Sequence, residues 1–512
     1  MMLLGSEYSS VDQIPKPLKD WILDQKHKVL IMRCTSYDAD RIAGIVKEGM
    51  ETLGVTPKGR ILLKPNVVMA HPQVFPNAYT RGEFLDGVVS AVKSRAVAVK
   101  EIAVGERSGI TVPTRYNFKN AGYGDVIAKH RIRAHYFDES KHVPVRLKSP
   151  PALRHMLYIP KPVKQCEFLV NLPKFKAHPW CRLTLSLKNL IGLQDDRHRL
   201  VDHNQFLEHK IADLQEVIQP DFIAVDAIVA GQKMMLTPTP FSLGAIVMGT
   251  NSCAVDTVGC HMVRINPDDI VHLRYASQRG FGPMALDRIE VGGDYPLEEI
   301  QDRARSFQFC VERVDDYFNG TGNLTCTVGK FPEAHAPDYC HGGCPGALQE
   351  AMHIFREMNP DVDKQMKKVR YVVGRVVEPL NLARDERVLF AGNCTRWKGQ
   401  IAGKSVKIES SYKTADDVDI KKTNSNDMLL KTVTAIVHSF WKRSSRYIHA
   451  KGCPLSVGQH VNYLSALADI KNPNFDSRFF MPVNIAYWQM RFFRFLNRFI
   501  GSASGFWQHK KD

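Results

Sequence analysis

The sequence predicts an α/β protein: a mostly parallel sheet with helices on both faces, followed by a second, smaller α/β domain. Three observations carry that expectation. Short apolar runs alternate with amphipathic stretches from Lys28 to Gly249, the pattern of strands joined by crossover helices. Several runs end in polar residues, as they do at the carboxyl edge of an open parallel sheet. Beyond Pro283 the character changes, and cysteines appear at strand ends and on a Gly-rich loop.

The elements follow in order. Residues 1–27 read as a lead-in with a short helix around Leu18 to Leu23, and 28–290 as the main α/β domain. Its first strand is KVLIMR (28–33), and Tyr37-Asp38-Ala39-Asp40 starts an amphipathic helix that Gly54 closes. The strand from Gly59 runs into Lys64-Pro65-Asn66, where proline ends pairing and leaves Lys64 and Asn66 at the sheet edge. A helix over Phe84 to Val92 and a strand at Glu101 to Gly105 come next, then strands at Glu167 to Asn171, Pro220 to Ala230 and Phe241 to Gly249. The last of these leads to a helix with Asp256 on its first turn.

Composition narrows the classes. The chain has 512 residues, 44% hydrophobic and 24% charged, with a net charge of +16, which favours anionic partners. That surplus is spread along the chain, and no zinc-finger, RNP or recognition-helix signature accompanies it, so no specific nucleic-acid partner is expected. No apolar run reaches 18 residues, and the N-terminus lacks the features of a secretory signal. A cytoplasmic protein, with a peripheral membrane contact as an added option, is the expectation; its eleven cysteines then suit buried thiols and metal ligands.

The stretch Phe168 to Gly192, FLVNLPKFKAHPWCRLTLSLKNLIG, concentrates the chemistry. An apolar strand breaks at Asn171 and Pro173 into a segment bearing Lys174, Lys176 and His178, and a helix-like run then carries Lys188 and Asn189. With Lys64 and Asn66, this set is expected to bind an anionic small molecule. A solvated basic loop is the plainer alternative. His178 is a candidate proton shuttle and Lys188 a candidate oxyanion stabiliser, though His178 is equally readable as a hydrogen-bonded loop histidine. Asp226, inside an apolar strand, is the third catalytic candidate; if buried it needs a lysine partner or a hard cation.

Lys64-Pro65-Asn66, NLPKFKAH (171–178), LKNLIGL (187–193), His203, Asp226 and the Asn251 to Asp256 segment, in that order, resemble the domain of unknown function family 362 over about residues 58–285. Thr80-Arg81 stands where that family more usually has Thr-His. The resemblance implies an α/β fold and frequent association with iron-sulfur domains. It implies no reaction.

In the second half, 291–335 reads as a junction and 336–475 as a cysteine-bearing α/β domain. Cys340 and Cys344 flank a Gly-rich loop before a helix from Ala347 to Met358. Cys394 and Cys453 follow strands at Glu386 to Phe390 and Arg446 to His449. Four thiols on three loops suit a 4Fe-4S cluster, with zinc as the alternative metal, or else a redox pair and two core residues. The layout is similar in pattern to the cluster-binding domains of hydrogenase small subunits. The expected function is an iron-sulfur oxidoreductase acting on an anionic small molecule, served by an electron-donor protein. The alternatives are a non-redox enzyme of isomerase or ligase type with structural cysteines, and a membrane-associated binding protein.

The tail, 476–512, contains NIAYWQMRFFRFLNRFI (484–500), with Arg491, Arg494 and Arg498 spaced along one helix face and large aromatics on the other. It reads as an interfacial helix for anionic lipid, a helix for a partner's groove, or a helix folded on its own core.

Overall fold

The computed structural model describes residues 26–71, 74–109, 112–147, 156–195, 199, 206–309, 313–318, 322–332, 340, 342–411, 437 and 441–499. The lead-in helix near Leu18, His203 and Cys310 lie outside them.

Eleven strands form the first sheet. They are β1 (His27–Arg33), β2 (Lys58–Pro65), β3 (Val97–Glu106) and β4 (Arg133–Tyr136), then, after a separate hairpin of β5 (His142–Arg146) and β6 (Met156–Pro160), β7 (Phe168–Leu172), β8 (Lys174–His178), β9 (Arg182–Thr184), β10 (Phe222–Gln232), β11 (Thr239–Phe241), β12 (Ala245–Gly249) and β13 (Ile289–Gly292). The spine runs β13-β1-β12-β10-β7-β2-β3-β4. Along it only β12 is antiparallel to its neighbours, pairing Val247 with Ile31 and Val225. The mostly parallel α/β architecture expected from the strand-helix alternation is present.

Helices cover both faces. On one side, Asp38 caps Ala39–Thr52 by accepting from the Arg41 N–H at 2.8 Å, and Ile42, Val46 and Met50 enter a core shared with Gly82–Arg95 and Tyr123–His130. On the other, Leu207–Val217, Ser252–Met262 and Val271–Gln278 bury Ile211, Val258 and Leu273 against Leu169, Val225 and Val247. Burial on both faces explains why the central strands read as continuous apolar runs rather than alternating ones.

The second sheet contains β14 (Leu324–Val328), β15 (Val369–Arg375), β16 (Arg387–Ile401), β17 (Lys404–Ile408) and β18 (Tyr447–Ala450), ordered β14-β15-β16-β17 with β18 on β16. Only the β16–β17 pair is antiparallel. The stretch 291–335, read from the sequence as a junction, instead contributes to both sheets: β13 begins at Ile289 and pairs with β1, helix Leu297–Arg303 buries Ile300 in the first core, and β14 opens the second sheet. Its elements are too short to leave a periodic signal.

One helix ties the two together. Cys344–Met358 packs Leu348, Met352 and Phe355 into the second core and turns Ile354 and Met358 towards the first.

Candidate functional site

At the carboxyl edge of the first sheet the polar groups meet, and they are buried. Lys64, Asn171 and Lys174 have no exposed surface, Lys176 is 1% exposed and His178 4%. Lys174 to His178 is therefore not a solvated loop. It is strand β8, paired with β10 through Asp226 and Gly231, and with β9. An interruption at Pro173 separates it from β7, and in the sequence that proline reads as the end of the strand.

Two lysines are neutralised where they sit. The Lys64 ammonium donates to Glu106, at the end of β3, and to the Asn189 carbonyl at 2.6 Å. Burial draws both members of the pair towards their neutral forms, and their mutual attraction opposes it. Lys174 donates to Asp226 Oδ2 at 2.9 Å and to the Tyr37 hydroxyl at 2.8 Å, while that hydroxyl donates to Asp226 Oδ1 at 2.8 Å. The Arg81 N–H also reaches Asp226 Oδ2, at 3.1 Å. Asp226, expected to take part in catalysis, is thus held in an ion pair with a lysine, the first of its two foreseen partners.

The asparagines form a chain. Asn66 Nδ2 donates to Asn189 Oδ1 at 3.0 Å, Asn189 Nδ2 to Asn171 Oδ1 at 2.7 Å, and Asn171 Nδ2 to the Ser186 hydroxyl at 2.9 Å. Asp256 accepts the Ser186 and Leu187 N–H groups at 2.7 and 3.0 Å, fixing the start of the short helix Ser186–Asn189. It lies in the second turn of its own helix, and burial pushes it up to about 8. These amides set the position of Lys188.

Lys188 is the exception among the lysines. It is 9% exposed, and among the described residues its ammonium has no hydrogen-bonded or ion-paired partner. Burial lowers its pKa, with Cys181 and Glu208 on one side of the balance and Arg199 and Lys64 on the other. Burial also pushes Glu208 up to about 7, and its carboxyl lies 3.9 Å from the Cys181 sulfur. His272 is held neutral by burial and by the Lys188 charge, its pKa lowered to about 3. Lys176 donates only to carbonyls, Ala78 O at 2.7 Å and Met235 O at 2.9 Å; burial, then Lys188, bring it down to about 7. His178 accepts the Trp180 and Cys181 N–H groups on Nδ1 at 3.2 and 3.3 Å, which fixes its ring in the loop.

Sequence reasoning missed Glu106, Tyr37, Glu208, His272 and Glu350. Glu106 follows an apolar run, so the strand-end rule that picks out Lys64 applies to it equally. The others come from separate helices and a loop and leave no local signal. Glu350, on helix Cys344–Met358, accepts the Met235 N–H at 2.5 Å and the Leu236 N–H at 3.3 Å; burial raises it to about 7.

The second cluster lies next to the first. Cys340 packs against the first core, and a Cβ at Gly342 would fall 1.7 Å from Pro179 O, so only glycine lets this loop touch the His178–Cys181 turn. Cys344 accepts the Leu455 N–H at 3.2 Å, and a Cβ at Gly392 would stand 3.1 Å from the Cys344 sulfur and 3.8 Å from that of Cys394. Burial, then Cys394 and Cys453, push Cys340 up to about 12; burial, then Cys394, do the same to Cys453. Cys394 does not end a strand as expected. It lies within β16, where the left-handed Gly392, and Gly374 on the paired strand β15, accompany a shift of register. Among the described residues, no group of three or more His, Cys, Asp or Glu is arranged to hold a single metal ion.

An α/β protein with its polar residues gathered at the carboxyl edge of a parallel sheet defines the class. Within it, residues 61–261 match the family described as "Domain of unknown function (DUF362)". A thylakoid-associated protein of Synechocystis sp. is 23% identical over 275 residues, covering 51% of this chain and 81% of that protein. Among solved structures, the lactate racemase apoprotein from Thermoanaerobacterium thermosaccharolyticum aligns with a TM-score of 0.30 and 10% identity over 74% of this chain and 85% of its own. A structural-genomics protein from Thermotoga maritima aligns with a TM-score of 0.30 and 8% identity, over 67% and 72%.

Two outcomes follow. Lys64→Met leaves Glu106 buried without its cation and lowers stability by about 3–5 kcal/mol, whereas Lys64→Met with Glu106→Leu restores most of it; chemical denaturation measures both. Glu350 carries a raised pKa in the fold, so between pH 4.5, its ordinary value, and about 7 the folded state keeps a proton that the unfolded chain has lost. Stability therefore falls as pH rises through that window, and Glu350→Gln flattens the fall in a series of denaturation midpoints.

Proposed function

We propose that the protein is a cytoplasmic iron-sulfur oxidoreductase that reduces or oxidises an anionic small molecule at the buried lysine site. The observation that carries this reading is the junction of the two clusters, with the Cys340–Cys344 loop seated on the turn between His178 and Cys181. Helix Cys344–Met358 continues the link. Glu350 lies six residues from Cys344, under two turns and about 9 Å along the axis, and binds the Met235 segment whose carbonyl receives Lys176.

The thiol site fits a four-iron cluster on its donor set. Cys340, Cys344, Cys394 and Cys453 come from three segments, and backbone N–H groups of Leu455 and Gly374 reach the Cys344 and Cys394 sulfurs, as cluster ligands require. Glycine at 392 keeps the space between two of the sulfurs clear. Zinc would demand four sulfurs about 2.3 Å from one ion, a tighter grouping than these segments make. Bound there, a cluster supplies one-electron transfer.

The residues around it divide the work. Lys188 offers a cation to a carboxylate or phosphate, and Lys176 adds charge in proportion to its protonation. Glu208, with a pKa near neutral, can give or take the proton that accompanies an electron. Asn66, Asn171 and Asn189 hold the helix that carries Lys188. The electron comes from a separate donor protein, which is oxidised as the bound anion is reduced. A cavity of about 580 Å³ lined by Arg375, Arg396, Lys398 and Lys407, the last paired with Glu409, includes β16 residues that follow Cys394 and keeps a cationic surplus that suits an acidic donor surface. All ten described cysteines are free thiols, which accords with a reducing compartment.

A non-redox reading is favoured by one observation. Lys176 and Glu208 both titrate near 7, a combination that serves proton transfer of isomerase type without any electron.

Anaerobic purification with iron and sulfide analysis and reduced-state EPR separates the two. About four irons per chain, lost in Cys344→Ala and Cys394→Ala, support the cluster; an iron-free, folded chain leaves the proton-transfer reading. Independently, affinity for a carboxylate or phosphate probe is expected to fall as pH rises through about 7, where Lys176 loses its proton, and to fall at least tenfold in Lys188→Met, both by calorimetry.

A further inference from the structure

Helix Ser477–Phe499 is fastened to the body along one face and carries exposed apolar side chains along the other. On the inner face Arg494 donates to Asp138 O at 2.9 Å and Asn497 to Glu139 O at 3.1 Å. Phe493 lies beneath the Arg115 guanidinium at 4.2 Å, Ala486 is buried, and Phe479 meets the His71 ring at 4.8 Å. On the outer face Met481, Ile485, Trp488, Phe492 and Phe495 are all exposed, Trp488 by 69%. Their spacing of four, three, four and three residues places them in one stripe roughly 80° wide at 100° per residue.

Met481, Ile485, Trp488 and Phe492, large apolar side chains exposed on a firmly docked helix, call for a cover. Charge decides between the covers. Asp476, just before the helix, pairs with Arg478 at 2.9 Å and Arg494 is taken by Asp138 O, but from Ser477 to Lys511 the sequence contains no Asp or Glu, while Arg491 and Arg498 lie on the helix and Lys510 and Lys511 beyond it. Arg491, exposed, borders the stripe, and the chain as a whole carries +16. A second copy would press the exposed Arg491 border against its like with no Asp or Glu of the helix between them. Among the described residues no helix is long and apolar enough to cross a membrane.

We propose that this helix lies in the plane of a membrane surface containing anionic lipid, with the Met481–Ile485–Trp488–Phe492–Phe495 stripe among the upper acyl chains and Arg491 at the headgroups. Inner-face fastening makes the attachment rigid: the whole molecule is held at one orientation, not tethered by a loose tail.

The test is co-sedimentation of the full chain with vesicles of phosphatidylcholine alone or with phosphatidylglycerol added. Binding is expected on the anionic vesicles, weakened by salt and reduced at least tenfold in Trp488→Glu with Phe492→Glu, whose exposed positions leave folding intact by circular dichroism. No binding of the wild type overturns the proposal. Binding that the double variant retains overturns it too, because the contact then lies elsewhere. A wild-type dimer that the double variant dissolves, without vesicle binding, assigns the stripe to a second copy instead.

Discussion

The desolvation of lysine organises the centre of this protein. Lys64, Lys174 and Lys176 project from one sheet edge, and Lys188 from the short helix beside it, into a buried region, and an uncompensated ammonium there costs several kcal/mol. Each is met differently: Lys64 by Glu106, Lys174 by Asp226 with Tyr37, Lys176 by two carbonyls, and Lys188 by no described partner. The gradient from full pairing to none runs towards Cys181 and Glu208. That is why paired lysines read as framework and the last one as the group left for a ligand.

Compensation reaches beyond one sheet. Lys176 depends on Met235 O, Met235 and Leu236 depend on Glu350, and Glu350 belongs to the helix that starts at Cys344. Protonation of the lysine site is therefore tied to the element that carries one of the four clustered thiols and follows directly on another. The glycine at 342, with no room for a Cβ against Pro179, enforces the same contact by sterics. Two clusters that look separate along the chain share a wall.

Much of this is legible in the order of the residues alone. The alternation of apolar runs with amphipathic stretches leads to the parallel α/β sheet, and the strand-end rule leads to Lys64, Asn66, Asn171 and the NLPKFKAH segment. Strand β8 escapes that rule because Pro173 looks like a terminator, whereas here it only offsets one buried strand from the next. The short elements on either side of residue 310 escape it because three to seven residues carry no measurable period. Glu106, at the end of its own apolar run, is within reach of the same rule that finds Lys64.

The sequence by itself determined the class of fold, the cationic character of the sheet edge, the gathering of cysteines in the second half and the amphipathic tail, because periodicity and charge are local properties. Only the tertiary structure decided which lysine keeps its charge uncovered, that Asp226 serves Lys174, and that Glu350 and Glu208 are pushed towards neutrality, because each depends on burial and on partners brought from distant segments. The same holds for the tail. Its apolar stripe was visible as spacing, but whether that stripe faced the core or the outside depended on which residues of the body, Asp138 and Glu139 among them, took hold of its other face.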